Sequence, residues 1–268
     1  MENRSAQKIA VTGKGGVGKS TITAALALIT AQKGVKVLAI DADPDANLAS
    51  ALGIPLEAQR QIITIAKHKN LIEERTGAKV QQYGQLFKLN PEVSDIADTY
   101  AFHYRGIELV VLGAIQSGGT GCACPENVLL RALVQELVLH RGEALFMDME
   151  PGIEHLGRAT ARGVTSLIIV VEPGTRSIES FKRISAMASE IGIRNISVIV
   201  NKIKTKEEQD FIWHEVDKNK IIGTIPYSET ILNNDRDGKS AIDNLDHNLL
   251  GLFEDIVQKL FSKELDSN

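Results

Sequence analysis

Apolar positions recur along this chain in two rhythms. Short runs that are apolar at almost every position, at 8–12, 35–40, 107–112, 144–149 and 166–172, with further runs at 196–201 and 220–225, predict strands buried on both faces. Between them, apolar residues spaced three and four apart predict helices over 20–33, 126–140, 177–191 and 206–216. Gly34 stands where the first of these helices needs a C-terminal cap. Strand and helix in alternation predict a doubly wound, mostly parallel α/β sheet flanked by helices, within one domain over 1–268. An insertion around 55–105 interrupts the rhythm. It reads as a helix over 57–76, a strand at 86–89 and a short helix over 94–103, and it carries no motif. The stretch 245–262 places Leu249, Leu252, Phe253, Ile256 and Leu260 at helical spacing. Its polar face mixes Asp246, Glu254, Asp255 and Lys259, whereas a membrane-surface helix needs a basic face, so a helix packed on the core is predicted.

The turn between the first strand and the first helix reads Gly13-Lys14-Gly15-Gly16-Val17-Gly18-Lys19-Ser20-Thr21. It fits G-x-x-x-x-G-K-[ST] in the strand-loop-helix setting that gives this motif its meaning: a phosphate-binding loop. Glycines let the backbone N–H groups turn inward on a polyphosphate. Lys19 can reach the β- and γ-phosphates, Ser20 offers a hydroxyl to Mg²⁺, and the helix directs its positive dipole end at the same place. Two later strands end in carboxylates at the edge where α/β sheets hold ligands: Asp41-Ala42-Asp43-Pro44 after the second, and Asp148 with Glu150-Pro151-Gly152 behind it.

Composition narrows the partners. Of 268 residues 24% are charged and 43% hydrophobic, with a net charge of −4 and no basic arm. That is an ordinary folded chain, and a general basic face for nucleic acid is disfavoured. No apolar run reaches membrane-spanning length and the first residues lack a secretory apolar segment, so a cytoplasmic protein without a membrane partner is expected. Only two cysteines occur, Cys122 and Cys124. In a reducing compartment so close a pair suggests a metal site or redox chemistry, with two small buried residues as the plain alternative.

Lys14, directly after the first glycine, resembles the signature lysine in the deviant phosphate loop of the MinD, ParA and nitrogenase iron-protein superfamily of dimeric ATPases. The resemblance implies a homodimer that binds and hydrolyses MgATP, with Lys14 reaching the partner's nucleotide. It also implies that Asp43 orients the attacking water, Asp41 supports the metal shell, and Asp148 sits on the Mg²⁺ shell. Gly13, Gly15, Gly16, Val17, Gly18, Lys19, Ser20 and Thr21 would hold the phosphates and Gly152 would bond the γ-phosphate. Asn201 would read adenine and Pro226 would pack on it. Gly121-Cys122-Ala123-Cys124, together with 147–155, is similar to the CooC-type ATPases that mature nickel carbon monoxide dehydrogenase, in which a C-x-C pair from each subunit binds a metal across the dimer. That similarity implies Ni²⁺ or Zn²⁺ bridging two chains and nickel carbon monoxide dehydrogenase as client. Glu150 and Pro151 stand where small residues are expected for that group. Two other functions are consistent with the superfamily: a ParA/MinD-like positioning ATPase, and an electron-transfer ATPase with an Fe–S cluster held by four thiolates of two chains.

Overall fold

The computed structural model describes residues 7–80, 82, 84–113, 125–140, 143–153, 156 and 158–262. The chain opens with β1 (Lys8–Gly13), the phosphate loop and α1 (Lys19–Gln32). Then come β2 (Val37–Ala42), α2 (Leu48–Ala51), α3 (Leu56–Gln59), a 3₁₀ turn (Ile65–Lys67), α4 (Lys69–Thr76) and α5 (Ile96–Tyr100). A hairpin of β3 (Phe102–Tyr104) and β4 (Ile107–Val111) leads to α6 (Pro125–His140), β5 (Ala144–Met149) and α7 (Arg158–Ala161). The remainder is β6 (Ser166–Val171), α8 (Thr175–Ile191), β7 (Ile196–Ile203), α9 (Lys206–Glu215), β8 (Ile221–Pro226), α10 (Glu229–Arg236) and α11 (His247–Ser262).

Eight strands form one sheet in the order β3-β4-β2-β5-β1-β6-β7-β8, parallel throughout except for β3. The continuous apolar runs of the sequence are explained by two cores, one on each face. Ile9 and Val11 of β1 point to the side of α1 and α11, with Phe146, Ile168, Val170 and Phe253. Ala10, Leu38 and Ile40 point to the other side, against Leu129, Leu133 and Leu137 of α6 and Phe181 and Ile184 of α8. Neither face meets water, so the strands carry no polar alternation. Helix α1 is apolar all round because α11 covers the side that the sheet does not. The C-terminal helix is thereby a core element: Leu249, Phe253, Ile256, Val257 and Leu260 are buried, and Ile256 lies so close over Gly223 that a Cβ there would collide with it. No helix among the described residues is long and apolar enough to cross a membrane.

The insertion departs from its sequence reading. The single helix expected over 57–76 is broken into α3, the 3₁₀ turn and α4. The break is made by Thr64, which bridges in parallel to Val111, and by Ala66, whose N–H donates to Leu112 O, so tertiary pairing to the sheet outweighs local helix propensity. The strand expected at 86–89 is absent, and Leu86 and Leu89 are exposed. The short helix expected over 94–103 ends at Tyr100, because 102–104 pairs with β4 through a tight Arg105-Gly106 turn in which both residues have positive φ.

Candidate nucleotide site

All the strand-end groups singled out above lie on one edge of the sheet because the strands are parallel. In register, Asp41 of β2 stands beside Asp148 of β5, and Val11 of β1 stands on the other side of Asp148. The phosphate loop leaves the same edge. It can curl there because Gly18, at φ 95, caps α1 in the left-handed region with its Cα tight against the Asn201 amide. The Asn201 side chain donates through Nδ2 to Val17 O at 2.8 Å, tying the loop to the end of β7. A cleft of about 480 Å³ opens over this edge. Its phosphate end is lined by Gly15, Gly16, Gly18, Lys19, Ser20 and Thr21, its far end by Asn201, Pro226, Tyr227, Ile231 and Leu232. A charged, donor-rich end joined to a partly apolar end suits a nucleotide, phosphates at one side and base at the other.

Charge is concentrated at the phosphate end. Lys19 is buried and its Nζ lies 3.7 Å from Asp43 Oδ2, a counter-charge within its own chain. Asp43 Oδ1 accepts from Asp45 N at 3.1 Å. Asp41 is fully buried and both its oxygens serve the loop, Oδ1 accepting from Asp43 N at 3.2 Å and Oδ2 from Leu48 N at 2.9 Å. It thus shapes the Asp43 loop from beneath. Burial, and then the neighbouring Asp148 charge, push its carboxyl up to about 7.

Asp148 is fully buried, and neither carboxylate oxygen has a hydrogen-bond partner of good geometry. Burial raises it to about 6, while the nearby Ser20 and Thr23 hydroxyls and the Lys19 charge pull the other way. A buried carboxylate with two orphaned oxygens beside a serine hydroxyl is the donor set of a hard, oxygen-ligated cation, and Mg²⁺ fits it.

Beyond Asp148, the backbone of 150–152 is held by a residue that sequence reading missed. Thr12, buried at the end of β1, donates its hydroxyl to Gly152 O at 2.8 Å and Glu150 O at 3.1 Å, and accepts from Gly152 N at 3.2 Å. The Gly152 N–H, expected to be available for a γ-phosphate, is therefore engaged by Thr12 here. Thr12→Val keeps the shape and removes both roles. It should destabilise the nucleotide-free protein by about 1–2 kcal/mol, the usual cost of leaving a buried N–H unpaired. It should also raise the ratio of ATP to ADP affinity, because a competitor for the N–H is gone; thermal unfolding and titration with both nucleotides read the two effects.

Tyr227 was also missed. Half-exposed beside Pro226, it carries Lys204 Nζ 4.5 Å from its ring centroid, and an aromatic directly after a strand-end proline was the available signal. Lys14 and Lys202 flank the loop, and each is paired with Glu172. Cys122 and Cys124 lie outside the described residues, as do Glu154 and His155. The described residues on either side of the cysteines are Gly113, two positions past the end of β4 at the nucleotide edge of the sheet, and Pro125, the first residue of α6.

A mostly parallel sheet of this order with a phosphate loop after β1 and an orphaned carboxylate near the end of β5 defines a P-loop nucleotide-binding ATPase. The CobQ/CobB/MinD/ParA nucleotide binding domain matches residues 8–241. The carbon monoxide dehydrogenase accessory protein CooC of Rhodospirillum rubrum is 44% identical over 88% of this chain and 89% of its own. An uncharacterized ATP-binding protein of Methanocaldococcus jannaschii is 42% identical over 89% and 91%. Among solved structures, the MinD cell division protein of Aquifex aeolicus superposes with a TM-score of 0.68 at 24% identity, covering 95% of this chain and 97% of that one, a likeness of fold. The chain belongs to the CobQ/CobB/MinD/ParA nucleotide-binding family and, within it, groups with the CooC-type proteins. It is an ATPase, and ATP, ADP and Mg²⁺ are its ligands.

Proposed function

We propose that this ATPase works as a homodimer in the nickel-dependent maturation of a carbon monoxide dehydrogenase, with a metal site shared by Cys122 and Cys124 of two chains. The observation that carries the reading is the 44% identity to CooC over nearly the full length of both proteins, combined with a C-x-C pair in the sequence between β4 and α6. Two chains meeting edge to edge over their nucleotides would bring the two cysteine loops to one interface. One chain supplies two thiolates, and a closed four-coordinate site for a soft metal needs four.

In the hydrolytic step, Lys19 leaves Asp43 for the β- and γ-phosphates, and the released Asp43 orients water for in-line attack on the γ-phosphorus, giving ADP and phosphate. Asp148 and Ser20 would hold Mg²⁺, which when bound would supply positive charge at the phosphate oxygens. Lys14 of each chain adds charge at the other's nucleotide. Gly152 exchanges Thr12 for the γ-phosphate and so couples the nucleotide to the second switch. Asn201, Pro226 and Tyr227 hold the base. Metal and ATP both favour the dimer, so ATP raises metal affinity and metal strengthens dimerisation.

Equilibrium dialysis with Ni²⁺ and Zn²⁺, paired with mass measurement, should find about one metal per two chains. Cys122→Ser and Cys124→Ser should each abolish that binding and leave ATP binding intact. One metal per monomer, or undiminished binding in the double variant, would refute the shared site. A brown absorbance in anaerobically purified protein would instead point to the Fe–S reading.

A further inference from the structure

Glu172 follows directly on β6, and the register of the sheet fixes what it can reach. Gly13 of β1 is aligned with Val170, and Val200 of β7 with Val171. The residue after β6 therefore stands between the start of the phosphate loop on one side and the end of β7 on the other. Its carboxylate takes a lysine from each: Lys14 Nζ lies 3.6 Å from Oε1, and Lys202 Nζ lies 3.5 Å from Oε2. The Glu172 N–H donates to Ser177 Oγ at 3.0 Å, which anchors its backbone at the start of α8. Lys202 is held twice, since it also donates to Gly16 O inside the phosphate loop. Its backbone sits at φ 61, a conformation a non-glycine residue keeps only where its surroundings impose it. Lys14 has Glu172 as its one ion-pair partner among the described residues.

We propose that Glu172 is the resting-state counter-ion of Lys14, holding that lysine to its own chain until a nucleotide on a second chain draws it away. The inference deepens the homodimer reading above and rests on it. Glu172 is 24% exposed and Lys14 38%, so the pair is wet and its hold is weak. A triphosphate presents several charged oxygens to one ammonium and outcompetes a single carboxylate. Lys202 stays behind through its second attachment to Gly16 O, so the departure of Lys14 does not strand the carboxylate without a cation. The arrangement makes the lysine unavailable by default: two empty chains meet with their Lys14 charges already neutralised, and only a nucleotide-loaded partner offers the stronger anion.

Carbodiimide joins an amine to a carboxylate in direct contact. In nucleotide-free protein it should couple Lys14 to Glu172 within one chain, read by mass spectrometry of the digest, with the Lys202–Glu172 product as internal reference. With Mg²⁺ and a non-hydrolysable ATP analogue, the Lys14 product should fall severalfold relative to the Lys202 product. Glu172→Gln, of equal size and uncharged, should dimerise with the analogue roughly two- to fivefold more tightly than the unaltered protein, the scale of one wet ion pair, in light scattering over a concentration series. Unaltered protein that stays monomeric at every concentration defeats the homodimer reading and this inference with it. If it dimerises but the variant does so no more tightly, the inference alone fails. A Lys14 product that is absent without nucleotide, or undiminished in the dimer, also defeats the inference alone.

Discussion

Replacing Lys19 by alanine should weaken nucleotide binding by about a hundredfold or more, the largest single loss expected in this protein. A charged donor to a phosphate contributes about 1.5–3 kcal/mol, and the ammonium faces two phosphates in a cleft where water screens it poorly. The same substitution should loosen the empty protein, because Lys19 is the cation beside Asp43 and also lowers the Asp148 carboxyl against its burial. Calorimetric titration with ADP and ATP reads the first effect and thermal unfolding without nucleotide reads the second. Removing an ammonium that faced only Asp43 would change the second and leave the first alone, and that result would refute the assignment.

Asp148→Asn should do two opposite things. Turnover with Mg²⁺ should fall by two orders of magnitude or more, since a neutral amide cannot replace a carboxylate on a divalent cation. The nucleotide-free protein, however, should become more stable at neutral pH. The carboxyl titrates at about 6 in the fold against 3.8 for an ordinary aspartate, chiefly through burial. A folded-state pKa raised in this way means that the fold prefers the protonated acid. The cost of ionisation is absent below about pH 4, grows as pH rises, and is complete above about pH 6. A shift of that size corresponds to about 3 kcal/mol, so the variant should unfold roughly 5 °C higher at pH 8 and gain little at pH 4. Asp41, raised to about 7 by burial and then by the Asp148 charge, is relieved of that second cause in the variant, so its carboxyl ionises at lower cost and adds to the gain at pH 8. A variant less stable than its parent at pH 8 would mean that the Asp148 carboxylate is satisfied in the empty site after all.

The ATPase core was legible because its signals are local. A phosphate loop, an amphipathic or buried helix and an apolar strand each declare themselves within a dozen residues, and the seven parallel strands fell within a few residues of their expected ends. The insertion was illegible for the converse reason. Residues 57–76 have helical spacing, yet Thr64 and Ala66 take hydrogen-bonding partners on the strand-and-loop edge at Val111 and Leu112, almost fifty residues away. Helix α10 went unread, although Ser228 caps it through Ile231 N, because its apolar residues are few: Ile231 and Leu232 line the cleft, and only Ile231 also packs against the core.

The sequence by itself determined the order of the seven parallel strands and of the long helices between them, the identity of the phosphate loop, and which strands end in carboxylates. Periodicity and motif spacing are properties of neighbouring residues, and neighbours are what a sequence records. Tertiary structure alone decided how those carboxylates differ: Asp41 is engaged by loop N–H groups, Asp43 by Lys19, and Asp148 has no hydrogen bond of good geometry, with only the Ser20 and Thr23 hydroxyls and the Lys19 charge nearby. It alone joined Thr12 to Gly152 across 140 positions, and Lys14 to Lys202 through Glu172. These pairings arise from the lateral order and register of parallel strands, which fix distances between residues far apart in the chain and leave no trace in the local pattern of either.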